Sequence, residues 1–294
     1  MHRLSDFFER TERDGSFLQT QFANSSQPGS VCFVAADKYL RQVNGNPAIA
    51  CVVTTEALAG NVDVAKGLAI SPTPEKAFYQ LHNRLVSEFQ MRPKLEPFVD
   101  PSARIHPSAY VDKYVCIGPE VVVEPGAVVL GGTILKRGAL VGPNAVIGAD
   151  GHFYKRYDGH IFRVLHAGGV VLEQNAQVLS GGVVSKALHT DFTVIGLESV
   201  VSIKAHVAHG CKIGHRCIIA GNAQVSGYTE MDNDVWIGPS ATIGNLLKIG
   251  EGASIEVGSV IIENLDAGRR VSGNFAIDHR SNMMDFARKR RRGR

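Results

Sequence analysis

The stretch Ile195-Gly196-Leu197-Glu198-Ser199-Val200-Val201-Ser202-Ile203-Lys204-Ala205-His206-Val207-Ala208-His209-Gly210-Cys211-Lys212-Ile213 decides the fold. A large aliphatic residue recurs every sixth position, and a small one (Ser199, Ala205, Cys211, Cys217) follows four residues after each. The phase continues through Ile219, Val225, Met231, Ile237, Ile243, Ile249 and Ile255 to Ile261. An earlier run starts at Val99 and passes Ile105, Val111, Ile117, Val123, Val129, Leu135 and Val141 to reach Ile147. A helix repeats its apolar face at 3.6 residues and a half-buried strand at two, so neither produces this spacing. A hexapeptide repeat does, and it predicts a parallel β-helix.

In such a solenoid three repeats make one triangular coil of roughly 18 residues. The large residue fills the prism and the small one fits near a corner. Gly118-Pro119, Gly142-Pro143-Asn144 and Gly238-Pro239 supply the residue types that suit tight corners. Residues one coil apart then stack at about the strand spacing of 4.8 Å. That stacking turns spacing into geometry: Asp191, His209, Gly227 and Asn245 are expected in one column. The pattern breaks over Ala149-Asp150-Gly151-His152-Phe153-Tyr154-Lys155-Arg156-Tyr157-Asp158-Gly159-His160. With Val171 back in phase, the 149–169 stretch is expected to leave the prism as a loop and return to it.

Residues 1–97 lack the repeat and read as a small α/β domain. Val31–Val34, Ala48–Val53 and Gly67–Ile70 are apolar runs of strand length. Thr73-Pro74-Glu75 opens a helix with a cap residue and a first-turn proline. Phe78, Leu81, Leu85 and Phe89 continue it at helical spacing. Residues 98–268 form the β-helix domain, and 269–294 a C-terminal extension ending in a short basic helix or tail. The fold class expected is therefore mainly β.

The net charge of +3 conceals an asymmetry. Arg288, Lys289, Arg290, Arg291, Arg292 and Arg294 crowd the end of the chain, and setting them aside leaves 25 basic against 28 acidic residues. The body is not basic, which argues against nucleic-acid binding by the whole surface. No apolar run is long enough to span a bilayer, so no membrane insertion is expected. The start, Met1-His2-Arg3-Leu4-Ser5-Asp6, has no signal-peptide core. Five cysteines without Cys-x-x-Cys spacing do not form a disulfide framework or a zinc ribbon. A cytoplasmic protein is expected.

Two segments carry a resemblance. Gln27-Pro28-Gly29-Ser30-Val31-Cys32-Phe33-Val34, followed by Asp37-Lys38-Tyr39-Leu40, resembles the N-terminal nucleotide-binding domain of the UDP-3-O-acylglucosamine N-acyltransferase family of lipid A biosynthesis. Val207-Ala208-His209-Gly210-Cys211-Lys212-Ile213-Gly214, with Ile219-Ala220-Gly221, resembles that family's catalytic coil. The order of parts is similar over nearly all of residues 1–268. The chain departs from the family pattern at Ala36 (usually Asn), at Ser202-Ile203 (usually Asp-Asn), at His152-Phe153-Tyr154 and at Ser185-Lys186-Ala187-Leu188.

Spacing alone leaves the coil's hand open. Crossovers between parallel strands are right-handed in nearly all proteins; the resemblance implies the left-handed coil of the hexapeptide acyltransferases. It also implies His209 as general base and the Gly227 N–H as oxyanion donor. Asp191 is expected to orient the ring, and Asn245 and His206 to line the substrate site. Phe33 and Tyr39 align with the aromatics that hold the uracil ring, although periodicity alone equally allows a buried strand residue and a helix-face residue. The acceptor implied is a UDP-amino sugar, and the donor a thioester of acyl carrier protein or CoA, with no further cofactor. Arg288, Lys289 and Arg290 are candidate docking residues for an acidic carrier; a merely solvated tail is the competing reading. His189, His206, His209 and His215 raise the question of zinc. Their spacing does not reproduce the histidine set of carbonic anhydrase-like hexapeptide proteins, so no metal is expected. A homotrimer is expected, because a lone prism would leave the His209 column on an open face.

Overall fold

A computed structural model describes residues 1–273 and 278–292; the side chains of residues 282 and 290–292 lie outside the description. Residues from Phe98 to Val271 build a triangular parallel β-helix whose walls are three sheets of eight, eight and nine strands. Strands of two residues stack in register, Val123 beside Val141 and Ile219 beside Ile237. The repeat's aliphatic residues fill the prism: Ile117, Val141, Ile147, Val207, Ile237 and Ile255 are all fully buried. Each such side chain contributes roughly 1.5–3 kcal/mol by leaving water. The corners recur with the same period, and at Glu198, Lys204, Arg216, Asn222 and Tyr228 the backbone takes positive φ near 55–58°. Left-handed corners thus sit on ordinary side chains, a cost of about 1–2 kcal/mol each that the stacked ladders offset.

The phase is not conserved across the interruption. Leu135 pairs with Leu172, and Leu172, not Val171, is the fully buried residue of that strand. The frame slips by one residue there. It is restored by a second insertion that the periodicity did not reveal, at the corner after Val183–Ser185. Leu172 pairs with Ile195, where uninterrupted spacing would bring Thr190. Two errors of opposite effect cancel in the count from Ile147 to Ile195, so the sequence reads as in phase on both sides.

The first interruption folds as an antiparallel hairpin, Tyr154–Tyr157 with His160–Arg163. It reaches the N-terminal domain. That domain is a five-stranded sheet in the order Thr11–Arg13, Gly67–Ile70, Ile49–Thr54, Ser30–Val34, Gln19–Thr20, parallel except at the Thr11–Arg13 edge. The helix Pro74–Ser87 covers one face through Phe78, Leu81 and Leu85. The hairpin grips this helix: Lys155 Nζ donates to Glu75 at 2.7 Å, Lys76 Nζ to Asp158 at 2.6 Å, and Asn83 Nδ2 to the Arg163 carbonyl at 2.8 Å. A C-terminal helix, His279–Arg292, ends the described chain.

Candidate active site

The hairpin and the N-terminal domain close over the corner that carries His209. They wall a half-open cleft of about 1420 Å³. His209, Gly227, Asn245, His206, Asp191, Phe33 and Tyr39, which the sequence put forward one by one, all line it. His209 is only 8% exposed, so the expected open face does not exist within this chain. Its ring is walled edge-on by Phe153 of the hairpin, His166 and Tyr228, with centroids 5.8, 5.2 and 5.4 Å away.

Two glycines make room for the ring. A methyl carbon on Gly227 would lie 2.6 Å from His209 Nε2, and one on Gly151 would lie 2.5 Å from Nδ1. The stacking argument holds upward from His209: His206 pairs with Gln224 and Gln224 with Thr242, which sets Gly227 and then Asn245 over His209. The Tyr228 N–H at this corner donates to the His209 carbonyl at 2.9 Å, whereas among the described residues the Gly227 N–H has no acceptor. Burial, reinforced by His206 and His152, pushes His209 down to about 4. The imidazole is therefore neutral at physiological pH, the state a proton acceptor requires.

Asp191 does not orient His209. The five-residue insertion displaces the corner below, and the Asp191 carboxylate instead accepts from Lys212 Nζ at 3.0 Å and from the Phe192 N–H at 2.7 Å. His206 stands on the cavity wall with both nitrogens engaged. Its Nδ1–H donates to Gln224 Oε1 at 3.0 Å, and Nε2 accepts from Ser185 Oγ at 3.1 Å. Ser185 is one of the positions at which the chain departs from the family pattern.

Phe33 is half-buried against Phe78 and Tyr79, centroids 5.3 and 5.9 Å away, and Tyr39 is 45% exposed at the rim with Lys38 Nζ 4.9 Å from its ring centre. Arg288 and Lys289 lie on the exposed C-terminal helix and not in the cavity; the side chain of Arg290 falls outside the described residues. Cys211 is fully buried, and burial pushes its thiol up to about 12, so it is not a nucleophile here.

The sequence did not single out His82 or His166, and gave Tyr228 no part in the site. Tyr228 was within reach of the coil spacing. It stands one coil above Gly210, and a methyl carbon there would come 2.5 Å from its ring, so only glycine, here at φ 72°, fits beneath it. His82 and His166 carry no repeat signal. His82 joins the domains: its Nε2–H donates to the Leu165 carbonyl at 2.7 Å, which leaves Nδ1 to accept from Thr20 Oγ1 at 2.6 Å. Beside it His189, supplied by the corner insertion, packs between His82 and Phe22.

Comparison with known proteins finds partial similarities. No protein-family model matches the chain. UDP-3-O-acylglucosamine N-acyltransferase from Campylobacter lari is 28% identical over 143 residues, 48% of this chain and 44% of that protein. In that region the chain is similar to an acyltransferase. A second relative, acyl-[acyl-carrier-protein]–UDP-N-acetylglucosamine O-acyltransferase from Alkalilimnicola ehrlichii, is 29% identical over 96 residues, 33% of this chain and 37% of that one. The chain spans less than half the length of these curated relatives. Among solved structures, UDP-N-acetylglucosamine acyltransferase from Campylobacter jejuni is similar at 24% identity and a TM-score of 0.48, covering 60% of this chain and 72% of that one. Among the described residues no helix is long and apolar enough to cross a membrane.

Proposed function

We propose that this protein moves an acyl group from a thioester to the amine of a UDP-linked amino sugar. Within that class, UDP-3-O-(3-hydroxyacyl)glucosamine of lipid A biosynthesis is the first choice, with the donor on acyl carrier protein. The observation that carries the reading is the buried His209 imidazole, with Nε2 against the bare face of Gly227, in a cavity that also reaches Phe33 and Tyr39. The amine nitrogen attacks the thioester carbonyl, and His209 Nε2 takes the proton it sheds. The Gly227 N–H donates to the oxyanion of the tetrahedral intermediate. Collapse breaks the C–S bond, and the imidazolium returns its proton to the departing thiolate. Phe33 and Tyr39, on the lining of the same cavity, offer aromatic side chains on which a base can stack.

Two features bear on the second reading, an acyl-CoA-dependent N-acetyltransferase of a nucleotide amino sugar for a surface polysaccharide. Ala36 and Ser202-Ile203 stand where the lipid A family carries polar residues. A turnover assay that pairs UDP-amino sugars with carrier-protein and CoA thioesters separates the two. Absence of acyl transfer with every pair would leave a sugar-nucleotide-binding scaffold. Assembly as a homotrimer belongs to the same proposal. Val200, Ile218 and Trp236 stack on the outer face of one prism wall, the last two 41% and 40% exposed. Such a ladder fits burial against another copy, and light scattering that finds an active monomer refutes it.

A further inference from the structure

The cavity accounts for only one nitrogen of the His209 ring. Nδ1 is buried, with no hydrogen-bond partner among the described residues. Yet a neutral imidazole that accepts a proton at Nε2 must already hold its own proton at Nδ1. A buried N–H without an acceptor is costly enough to tip the ring to the opposite tautomer, in which the Nε2 lone pair is gone. The base therefore needs an acceptor behind it.

His166 occupies that place. The two rings are 5.2 Å apart at 73°. The point where a Gly151 methyl carbon would sit is 2.5 Å from His209 Nδ1 and 3.0 Å from His166 Nε2, so both nitrogens flank the same bare glycine. One water or a small ring rotation closes such a gap. His166 is 2% exposed, and neither of its nitrogens has a partner. Burial pushes it down to about 3, against the opposing pull of Asp150, so it too is neutral and keeps one lone pair. Asp150 is fixed by Arg163 Nη2 at 2.7 Å and Lys186 Nζ at 3.0 Å. The other titratable groups facing His209 are His152, His206 and Tyr228. His206 already has both nitrogens engaged.

We propose that His166 is a positioning residue: across the gap beside Gly151 its Nε2 lone pair receives the Nδ1–H of His209 and so leaves Nε2 of His209 unprotonated toward the cavity. In that state His166 carries its own proton on Nδ1, and Asp150 acts on the ring only as a nearby negative charge. The inference rests on the reading of His209 as the base, but its first test needs no substrate.

Long-range ¹H–¹⁵N spectra of the histidine rings at pH 7 report each tautomer. The full chain is expected to show His209 as the Nδ1–H form. His166→Phe, similar in size but without an acceptor, should convert it to Nε2–H. His166→Gln, whose amide oxygen can accept, should keep Nδ1–H. In turnover, His166→Phe should lower kcat by at least about tenfold, part of the general-base contribution, with KM for the sugar nucleotide nearly unchanged and the loss largely restored in His166→Gln. An Nε2–H form in the unaltered protein overturns the proposal, and that result stands even where His166→Phe fails to fold. An unchanged tautomer in a folded His166→Phe also overturns it. A tautomer that switches while acyl transfer is unaffected supports the His166 coupling and removes His209 from the role of base.

Discussion

His209 Nε2 lies against the bare Cα of Gly227, so close that a methyl carbon there would stand 2.6 Å away. Gly227→Ala keeps the backbone N–H but pushes the imidazole off its position. The expected outcome is a loss of kcat of at least about tenfold, because misplaced catalytic groups forfeit much of their advantage. The ring is buried among Phe153, His166 and Tyr228, so the crowding should also lower the melting temperature. Full activity in Gly227→Ala would place the reacting centre elsewhere in the cavity.

His209→Ala removes the proton acceptor, and a loss of roughly 10²–10⁴-fold in kcat is expected. The wild-type pH profile gives a second check. Burial holds His209 near 4, so the neutral base persists well below the ordinary histidine range. The acid limb of kcat/KM for a stable donor should fall near pH 4, not at 6.5. A limb at 6.5 would mean that the group being titrated is solvated.

The repeat made the prism legible because each coil repeats the same packing problem, and His209, Gly227 and Asn245 followed from the same arithmetic. It failed where the chain leaves that problem. Leu172 replaced Val171 in the core, and Asp191 turned to Lys212, because insertions have no period and shift what lies below them. His82 and His166 were invisible for a related reason. Their environment is made by the N-terminal domain docking on the coil, through contacts such as His82 to Leu165, which no local pattern encodes.

Phe33 and Tyr39 should separate under mutation. Tyr39 is largely exposed, so Tyr39→Ala should cost about 1–3 kcal/mol in nucleotide-sugar affinity with little loss of stability. Phe33 packs against Phe78 and Tyr79, so Phe33→Ala should also lower the melting temperature. Calorimetric titration with UDP and with other nucleotides measures the first effect. Equal binding of all bases, indifferent to both changes, would refute a uracil platform.

Acid should unfold this protein through its buried histidines. His82 is pushed down to about 4, His166 to about 3 and His209 to about 4 by burial, and His189 lies well below its ordinary value for the same reason. Between about pH 6.5 and 4 the unfolded chain binds protons that the folded chain refuses. Stability present above pH 6.5 is then lost as pH falls, by about 1.4 kcal/mol per pH unit for each such histidine. Urea unfolding at pH 7 and pH 5 should show the drop. His82→Gln should make it shallower, whatever that change does to stability at pH 7. Equal stability at both pH values would mean that these rings are protonated in the folded state.

The C-terminal helix gives the test of the donor. Met283, Met284 and Phe286 are about half exposed on it, and Arg280, Arg288 and Lys289 lie along the same element. An acidic carrier protein would be steered by the charges and gripped by the apolar residues, whereas CoA needs neither. The competing reading is a solvated basic tail. Truncation after Asp278 should raise KM for a carrier-protein donor several-fold, flatten its salt dependence and leave a CoA donor unchanged. Charge reversal at Arg288 and Lys289 should reproduce the loss of salt dependence without removing the helix, because steering depends on charge and screening. If neither change affects the carrier-protein donor, the helix is no docking site, and a CoA thioester becomes the better candidate.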